Sequence, residues 1–433
     1  MSSQMIGLVG FCCLFVLIVL RVHIAVAMLS VSLGGIFYIF GPNVTWGIVT
    51  AVPYNFSANW SLSSVPMFLM MGFVAYHAGV TRGLFRAARA WLAWLPGGLA
   101  VASMFGATGF AAATGSSIAC AAAIGRIAVP EMLESKYDPR LATGTVAAAG
   151  TIGALVPPSI VLILFAIQAQ VSIPQLFFGG ALIGFLTLGA YSLLVITIGL
   201  LRPDLLPAGT KSTWPERLTT LREVWPLVVI VVGVFGSMFA GLVTATEAGA
   251  IGALLVIIIG LLQRTLNWAG FRASIVDTLV ACGSLFIIAV AANIFVRFVA
   301  LAGINSLLTG LIAAANFGQV EFLLFVMVFY LIVGMFLEPV GAMLLTLPIL
   351  LPALDTLSIP ILFFGVMMAK LLEIGMITPP VGMNVFVING VLKGKVPLEK
   401  IFSGVVMFIA MDILLVLGLI VFREPFASFV AGR

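Results

Sequence analysis

The chain has 433 residues, of which 62% are apolar and only 8% are charged. Soluble globular proteins carry roughly 45–50% apolar and about 25% charged residues, so this composition excludes a soluble fold and indicates a polytopic membrane protein. The formal net charge of +5 is small for this length and does not indicate a nucleic-acid partner. Membrane lipid is therefore the expected surrounding of most of the surface.

Uniformly apolar runs of about 20 residues predict membrane-spanning helices, whereas the strands of a membrane β-barrel would alternate in polarity. In chain order the runs are 5–20, 24–40, 65–80, 141–166, 176–201, 225–243, 245–262, 279–300, 322–337, 360–377 and 401–421. Two further apolar stretches, 101–130 and 338–354, are interrupted by Gly, Ser, Thr and Pro, and we expect re-entrant helical hairpins there. The sequence thus predicts an all-α membrane protein with about eleven spans and two hairpins.

Shorter segments separate these runs. Residues 84–95 and 267–276 combine arginines with tryptophans, a pattern typical of helices that lie in the membrane interface, although ordinary amphipathic connectors would have the same pattern. A polar linker at 202–223 contains the basic residues Arg202, Lys211, Arg217 and Arg222. This linker separates a first half, residues 1–201, from a second half, residues 224–433, and its basic residues predict a cytoplasmic location.

The two halves share a spaced motif. Each contains a glycine, three further residues and then two prolines, at 153–158 and 375–380, and the copies lie 222 positions apart. Pro130 and Pro352 have the same separation, and segments 77–80 and 301–304 are 224 positions apart. An offset this constant indicates an internal duplication, which in helical membrane proteins is typical of secondary transporters with inverted repeats.

The Pro-Pro motifs predict broken helices at 141–166 and 360–389, and broken helices inside a membrane predict a binding site. An unpaired backbone group in hydrocarbon costs several kcal/mol, so a break is tolerated where it lines a cavity or meets a ligand. Unwound carbonyls and Ser or Thr hydroxyls offer oxygen ligands for Na⁺, and helix N-termini attract anions. Close packing of small residues is the alternative interpretation, but it does not explain why these residues cluster with proline in both halves.

Several motifs resemble the large membrane subunit of tripartite ATP-independent periplasmic (TRAP) transporters. They are Ala-Thr-Gly-Ser-Ser-Ile-Ala-Cys-Ala-Ala-Ala-Ile-Gly at 113–125, Gly-Thr-Ile-Gly at 150–153 with Val-Pro-Pro-Ser at 156–159, and Leu-Glu-Ile-Gly-Met-Ile-Thr-Pro-Pro-Val-Gly at 372–382. The resemblance covers essentially the whole chain. It implies an elevator-type carrier, in which a transport domain slides across the bilayer against a scaffold and is driven by Na⁺. Cys120 departs from the pattern, because Asp or Thr is expected at that position.

The resemblance also implies partners and a location. A small four-helix membrane subunit would enlarge the scaffold, and a soluble periplasmic binding protein would deliver a small organic anion in the bacterial inner membrane. Since the first apolar run begins at residue 5, we expect the small subunit to be a separate chain.

Particular residues follow from the broken motifs. One Na⁺ site is predicted from the first half, at Gly115, Ser116, Gly150, Gly153 and Val156. A second is predicted from the second half, at Gly334, Glu338, Gly375, Thr378, Pro380 and Gly382. Ser117, Ser159 and Asn384 are candidates for substrate contact. Glu338 has an alternative role as the cap of a hairpin helix, where a carboxylate is favoured by about 0.3–1 kcal/mol.

Ionisable residues inside apolar spans are functional candidates, because each costs about 2.5–3.5 kcal/mol on insertion scales. Arg297, Lys370, Glu373 and Asp412 belong to this group. Lys370 and Glu373 are three positions apart, so we expect them to pair on a helix. Glu247, in Thr-Ala-Thr-Glu at 244–247, is expected to order a helix start.

The resulting prediction is Na⁺-coupled import of a small organic anion, such as a carboxylate or a sugar acid. An elevator carrier that binds its substrate without a soluble partner is the first alternative, and a channel is another. An intramembrane enzyme is disfavoured because the sequence has no His-Glu-x-x-His pair, no carboxylate cluster in the spans and no nucleotide-binding loop.

Overall fold

The computed structural model describes residues 2–80, 82–207, 212–314 and 317–432, and all regular secondary structure in these ranges is helical. Lys211 of the predicted linker lies outside the described residues. The helices of the first half are α1 (Ser3–Val19), α2 (Ile24–Ser57), α3 (Ser64–His77), α4 (Arg82–Leu92), α5 (Gly98–Thr114), α6 (Ser117–Glu134), α7 (Pro139–Thr151), α8 (Ile160–Ala169) and α9 (Ile173–Leu201).

The second half continues in the same manner after the linker. Its helices are α10 (Trp214–Arg222), α11 (Trp225–Val231), α12 (Ser237–Phe239), α13 (Ala245–Leu262), α14 (Trp268–Leu301), α15 (Ile304–Ala314), α16 (Gln319–Gly334), α17 (Pro339–Thr356), α18 (Ile361–Gly375), α19 (Met383–Val391), α20 (Leu398–Val421) and α21 (Arg423–Ala431). A π-helical turn at Val232–Gly236 joins α11 to α12.

Six described helices are long and apolar enough to cross a bilayer alone, namely α2, α9, α13, α14, α17 and α20, and α10 with α11–α12 forms a seventh candidate that is bent by 46°. The other predicted spans correspond to shorter or broken helices. Helix α2 is interrupted at Gly41, whose φ of +78° is non-helical and which precedes Pro42. The predicted span 24–40 ends at this kink.

The duplication is visible in the helix boundaries. Helices α4 and α15 have the same length, and their first residues are 222 positions apart. The last residues of α6 and α17 are also 222 positions apart, as are the first residues of α7 and α18. This correspondence is the structural counterpart of the repeated sequence motifs.

The first predicted hairpin forms near its expected position. Helices α5 and α6 are separated only by Gly115 and Ser116, and they fold back on each other, since the Cys120 thiol donates to the Ala107 carbonyl at 3.2 Å. We call α5 and α6 hairpin 1.

The predicted position of the second hairpin is wrong. Residues 339–356 form the single helix α17 rather than a hairpin within 338–354, and the break lies earlier, between Gly334 and Pro339. The predicted span 322–337 is therefore the first arm of the hairpin, and the Tyr330 hydroxyl bonds Thr346 across the two arms. The prolines at 348 and 352 are tolerated inside α17. We call α16 and α17 hairpin 2.

The predicted second interface helix is also wrong. Residues 267–276 are the start of the 34-residue helix α14, and Asn267 caps it through Gly270 N at 2.7 Å. The element that matches α4 is α15, which precedes hairpin 2 as α4 precedes hairpin 1. Helix α15 carries no arginine or tryptophan, so the residue pattern used for the prediction was absent there.

The polar linker is partly helical and packs on α4. Arg217 donates to the Ala90 carbonyl at 3.2 Å and stacks on Trp91 and Trp214, and Arg86 pairs with Glu223 at 2.9 Å. These contacts hold α10 against α4.

Capping explains several boundaries. Thr244 and Glu247 form a capping box at the start of α13, which confirms the predicted role of Glu247. Asp138 caps α7 and accepts hydrogen bonds from Arg140, which lower the pKa of the Asp138 carboxyl below its usual value and keep the cap ionised.

The two Pro-Pro motifs break helices as predicted. Helix α7 ends in a short 3-10 turn at Ile152–Ala154, and α8 begins after Pro157 and Pro158, whose peptide bond is cis. In the second half α18 ends at Gly375 and α19 begins at Met383, with Pro379 and Pro380 between them. The breaks fall within the predicted broken helices 141–166 and 360–389.

The helices pack in two groups. In the first group α14 packs along α2 and α3, and α13 packs on α3. In the second, hairpin 1 packs on α7, α6 also contacts α19, α18 contacts α16 and α9, and α20 contacts α7. The tips of both hairpins lie between the groups, next to α3 and α14.

Candidate ion and anion site

The tip of hairpin 1 rests on the first Pro-Pro break. Gly115 ends α5 with a left-handed φ of +62°, and a Cβ added there would lie 1.8 Å from the Pro158 carbonyl oxygen. Only glycine fits this conformation and this contact. Ser116 then caps α6 by accepting a hydrogen bond from Ala119 N at 3.4 Å. The first broken helix thus positions the start of α6.

The tip of hairpin 2 is built similarly. Gly334 at the end of α16 packs on Gly375 at the end of α18, where a Cβ on Gly375 would lie 2.5 Å from Gly334 Cα. Glu338 caps α17 by accepting a hydrogen bond from Gly341 N at 3.1 Å. The capping role considered for Glu338 is therefore confirmed, and Glu338 holds the position in hairpin 2 that Ser116 holds in hairpin 1.

Both caps face the same space. A cavity of about 430 Å³ is lined by Ser116 and Glu338 together with residues of α3 and α14, including Gly72, Tyr76, Asp277 and Ser284. A smaller cavity of about 100 Å³ adjoins it and is lined by Gly115, Ser116, Ser117, Glu338 and Glu373, among others. We call them the large and the small tip cavity. Two helices from different halves thus point their N-termini at one location, as expected of an inverted repeat.

Glu373 joins the two halves at the small tip cavity. Its side chain is 1% exposed, and its Oε2 accepts a hydrogen bond from the Ser117 hydroxyl at 2.6 Å. The other oxygen, Oε1, has no hydrogen-bond partner among the described residues. A buried carboxylate that accepts a single hydrogen bond is expensive unless a cation compensates it.

Lys370 does not compensate Glu373 in the predicted manner. The expected Lys370–Glu373 pair is wrong, because the Lys370 Nζ donates to Asp412 Oδ1 at 2.6 Å, with both side chains almost fully buried. The Tyr191 hydroxyl donates to Asp412 Oδ2 at 2.6 Å and completes the network. The buried Lys370 ammonium is therefore neutralised by the Asp412 carboxylate, and no lysine remains to neutralise the charge of Glu373.

The donors around Glu373 fit a small hard cation. The residues that line the two tip cavities include neither lysine nor arginine, but they include the three carboxylates of Asp277, Glu338 and Glu373 and the hydroxyls of Ser116 and Ser117. Within the described part of the chain no three His, Cys, Asp or Glu side chains converge. Hydroxyl, carbonyl and single carboxylate oxygens are ligands suited to Na⁺ rather than to a transition metal.

The other residues predicted for the first Na⁺ site surround the tip of hairpin 1. A Cβ on Gly153 would lie 3.2 Å from the Ser116 carbonyl oxygen, and one on Gly150 would lie 3.0 Å from Asn384 Nδ2. Val156 is 5% exposed and packs towards Gly184 on α9. Gly150 and Gly153 therefore lie against the hairpin, whereas the Val156 side chain points to a neighbouring helix.

The residues predicted for the second Na⁺ site are more dispersed. Thr378 is buried and donates to the Ile374 carbonyl at 2.7 Å, and Gly382 lies near the Thr378 carbonyl oxygen. Pro380 is exposed. Only Glu338 of this predicted set lines the tip cavities, with Gly334 and Gly375 forming the support behind it.

Two of the predicted substrate contacts lie away from the tip cavities. Ser159 is buried and caps α8 through Leu162 N at 3.2 Å. Asn384 is buried, donates to the Ala147 carbonyl at 3.4 Å, and its Oδ1 has no partner among the described residues. Ser117 alone of the three faces the small tip cavity, where its hydroxyl is engaged with Glu373.

Some site residues were missed by the sequence analysis. Glu373 was identified as an intramembrane charge but assigned to a pair, and Asp277, Tyr76 and Ser284 were not considered. Asp277 lies in α14, and its partner His77 in α3 is 2.8 Å away. Asp277 could have been recognised as an acidic residue inside a long apolar helix. It was overlooked because the predicted interface helix 267–276 ended just before it, whereas α14 continues through it.

Comparison with known proteins identifies one transporter family that matches most of the chain. The family model described as "Tripartite ATP-independent periplasmic transporter, DctM component" matches residues 11–424. The chain is 32% identical over 407 residues to the "C4-dicarboxylate TRAP transporter large permease protein DctM" of Vibrio cholerae, covering 88% of this chain and 89% of that protein.

Two further similarities are informative. The chain is 31% identical to the "Isethionate TRAP transporter permease protein DctMQ" of Oleidesulfovibrio alaskensis, with 89% of this chain and 60% of that protein covered. Among solved structures, the YdaH transporter of Alcanivorax borkumensis matches with a TM-score of 0.61 and 16% identity, over 90% of this chain and 89% of that one. The latter similarity concerns the fold.

Proposed function

The chain belongs to the DctM family of tripartite ATP-independent periplasmic transporters, and we propose that it is the large permease subunit of a Na⁺-coupled importer of small organic anions. The relatives are named for C4-dicarboxylates, isethionate and sialic acid, all of which are small organic acids. We further propose a bacterial inner-membrane location, a small membrane subunit as partner and a periplasmic binding protein that delivers the substrate.

The observation that carries the Na⁺ coupling is the uncompensated Glu373 carboxylate at the junction of the two halves. An organic anion that enters the tip cavities meets Glu338 and Asp277 in the large cavity and Glu373 in the small one, without a lysine or arginine among the lining residues. Like charges repel each other strongly in a poorly solvated site. Bound Na⁺ removes this repulsion, so the cation binds first and creates the affinity for the anion.

The helix N-termini then favour the anion itself. Helices α6 and α17 begin at the large tip cavity, and α8 begins beside it with Ile160 in its lining. Backbone N–H groups at helix starts attract carboxylates. The apolar walls from α3 and α14, including Leu69 and Ile288, would cover the hydrocarbon part of the substrate.

The packing of the helices supports the proposal of an elevator movement. Hairpin 1, hairpin 2 and the broken helices meet at the site, while α3 and α14 supply the opposite wall of the large tip cavity. We propose that the group containing the hairpins slides along α3 and α14 and exposes the cavity alternately to the two sides of the membrane.

Reconstitution tests the proposed function. The periplasmic binding protein proposed as the partner, sought among the genes that neighbour the gene of this chain, is first screened for thermal stabilisation by succinate, isethionate and N-acetylneuraminate. The complete transporter is then placed in proteoliposomes, and uptake of the stabilising compound is measured with an inward Na⁺ or K⁺ gradient. Uptake is expected only with Na⁺ and only with the binding protein present. Undiminished uptake with K⁺ would contradict the coupling, and undiminished uptake without the binding protein would contradict the tripartite arrangement.

A further inference from the structure

A third cavity lies beside the large tip cavity and differs from it in charge. It has a volume of about 250 Å³ and is lined by residues of α3, α4, α5 and α6, including Tyr76, His77, Phe110, Arg126 and Ile127. We call it the arginine cavity. The residues that line it include no aspartate or glutamate, whereas the large tip cavity contains Asp277 and Glu338.

Arg126 is the charged group of this cavity. It lies on α6 ten residues after the cap Ser116, which places it about 15 Å from the hairpin tip along the helix axis. Its guanidinium has no ion pair or hydrogen bond with any described residue. Arginine in an apolar helix is unfavourable by about 2.5–3.5 kcal/mol near the bilayer centre, so an unpaired one requires a polar surrounding or a ligand.

The two arginines of α4 that lie near this cavity in the fold, Arg86 and Arg89, each form an ion pair. Arg89 pairs with Glu131 at 2.7 Å and Arg86 pairs with Glu223 at 2.9 Å. Arg126 lies on the same helix as Glu131 but has no carboxylate partner among the described residues. The fork of a free guanidinium is complementary to a carboxylate, which it can bind through two parallel hydrogen bonds.

The two cavities share one lining residue, Tyr76, whose ring is edge-on to His77 at 5.2 Å and to Phe110 at 6.4 Å. His77 lines the arginine cavity and Asp277 lines the large tip cavity, and the two side chains bond at 2.8 Å. The Tyr76 side chain is 42% exposed, so a path between the cavities would pass this ring.

From this arrangement we propose that Arg126 forms a second, transient binding position for the carboxylate of the transported organic anion, on its path between the large tip cavity and water. This inference rests on the proposed function, because it takes its ligand from there. An anion leaving the tip cavities moves from a region with carboxylates to one with an unpaired cation. The arginine cavity thus lowers the barrier for release without adding to the affinity of the tip site.

Charge-selective labelling tests the proposal on the purified transporter complex. Ile127 lines the arginine cavity, and Ile127→Cys is introduced after Cys12, Cys13, Cys120 and Cys282 are replaced by alanine. The rates of modification by an anionic and a cationic methanethiosulfonate of similar size are compared. With Arg126 present the anionic reagent is favoured, and Arg126→Gln is expected to reduce the anionic-to-cationic ratio roughly tenfold. Succinate should slow the labelling only when Arg126 is present.

Transport measurements supply a second readout in the chain with its native cysteines. Arg126→Gln is expected to lower the rate of uptake at saturating substrate severalfold, because release is slowed, and Arg126→Lys should recover at least half of the loss. Arg272→Gln, which removes an exposed arginine from the spanning helix α14, is the control and should leave uptake unchanged. An unchanged labelling ratio in Arg126→Gln would overturn the proposal, as would full uptake by that variant. Because wild-type uptake is measured in parallel, failure of the proposal is distinguished from failure of the proposed function.

Discussion

At the scale of single residues, the proposed Na⁺ coupling depends on Glu373. Its Oε1 is buried and unpartnered among the described residues, and its charge is not matched by Lys370, which is bound to Asp412. A cation beside this carboxylate would gain more than 1 kcal/mol even where the effective dielectric is about 20. The same charge would repel an organic anion in the absence of the cation.

Replacing Glu373 by glutamine keeps the shape and removes the charge. Na⁺ should stabilise the wild-type complex against thermal unfolding, and Glu373→Gln should raise the half-saturating Na⁺ concentration about tenfold, since a tenfold change corresponds to about 1.4 kcal/mol. Glu399→Gln, at an exposed position in the first turn of α20, is the control. An identical Na⁺ titration in the wild type and in Glu373→Gln would remove Glu373 from the site.

The Lys370–Asp412 pair has a structural role that can be separated from transport. Breaking a buried pair by removing one partner costs about 3–5 kcal/mol, whereas replacing both can be nearly neutral. Lys370→Met should therefore lower the melting temperature strongly, and Lys370→Met with Asp412→Asn should recover much of the loss. The partly exposed pair Arg86–Glu223 is the control, because Glu223→Gln should cost only about 1 kcal/mol. A double variant as unstable as Lys370→Met would show that the pair is not isolated.

At the scale of helices, the glycine contacts determine how the hairpins fit on the broken helices. A methyl group on Gly375 would overlap with Gly334 at 2.5 Å, and both contacting atoms are backbone, so neither can move cheaply. The break after α18 and the tip of hairpin 2 are therefore one packing unit. A shift there would move Glu338, which lies only four residues beyond Gly334.

Gly375→Ala is expected to impair uptake at least tenfold while the complex still assembles, because the tip of hairpin 2 is displaced. Gly390→Ala in α19 is the matched control, since a methyl group there meets no atom within 4 Å. Uptake by the two variants is compared after equal reconstitution. Equal uptake would show that the Gly334–Gly375 contact does not position the site.

Most of the fold could be predicted from the sequence. The length of an apolar run predicts a helix, and a Pro-Pro motif predicts a helix break, and both signals lie within a short stretch of the chain. The break at hairpin 1 was predictable from Gly115 and Ser116. The break at hairpin 2 was placed too late, since Pro348 and Pro352 suggested an interruption that α17 tolerates. Lys370 and Asp412 are 42 positions apart in the sequence and lie on different helices, and Ser117 and Glu373 are 256 positions apart. Spacing along one helix cannot show such pairs, so the Lys370–Glu373 prediction failed.

At the scale of the whole molecule, the duplication explains why one site contains parts of both halves. Ser116 and Glu338 cap equivalent helices 222 positions apart, yet one is a hydroxyl and the other a carboxylate. The two predicted Na⁺ sites were assigned separately to each half. The structure instead places both caps and Glu373 around the small tip cavity, so the halves contribute different chemistry to a shared location.

A reversible cross-link tests most directly whether the group containing the hairpins moves along α3 and α14. The Asn293 side chain of α14 donates to Gln168 Oε1 of α8, part of the first broken helix, at 3.4 Å. Asn293→Cys and Gln168→Cys, introduced after the four native cysteines are replaced by alanine, can therefore be bridged by a short bis-methanethiosulfonate. Uptake by the reconstituted complex is measured after cross-linking and again after reduction, with each single variant as control. Cross-linking of the double variant is predicted to abolish uptake and reduction to restore it, and full uptake by the cross-linked protein would contradict the proposed movement.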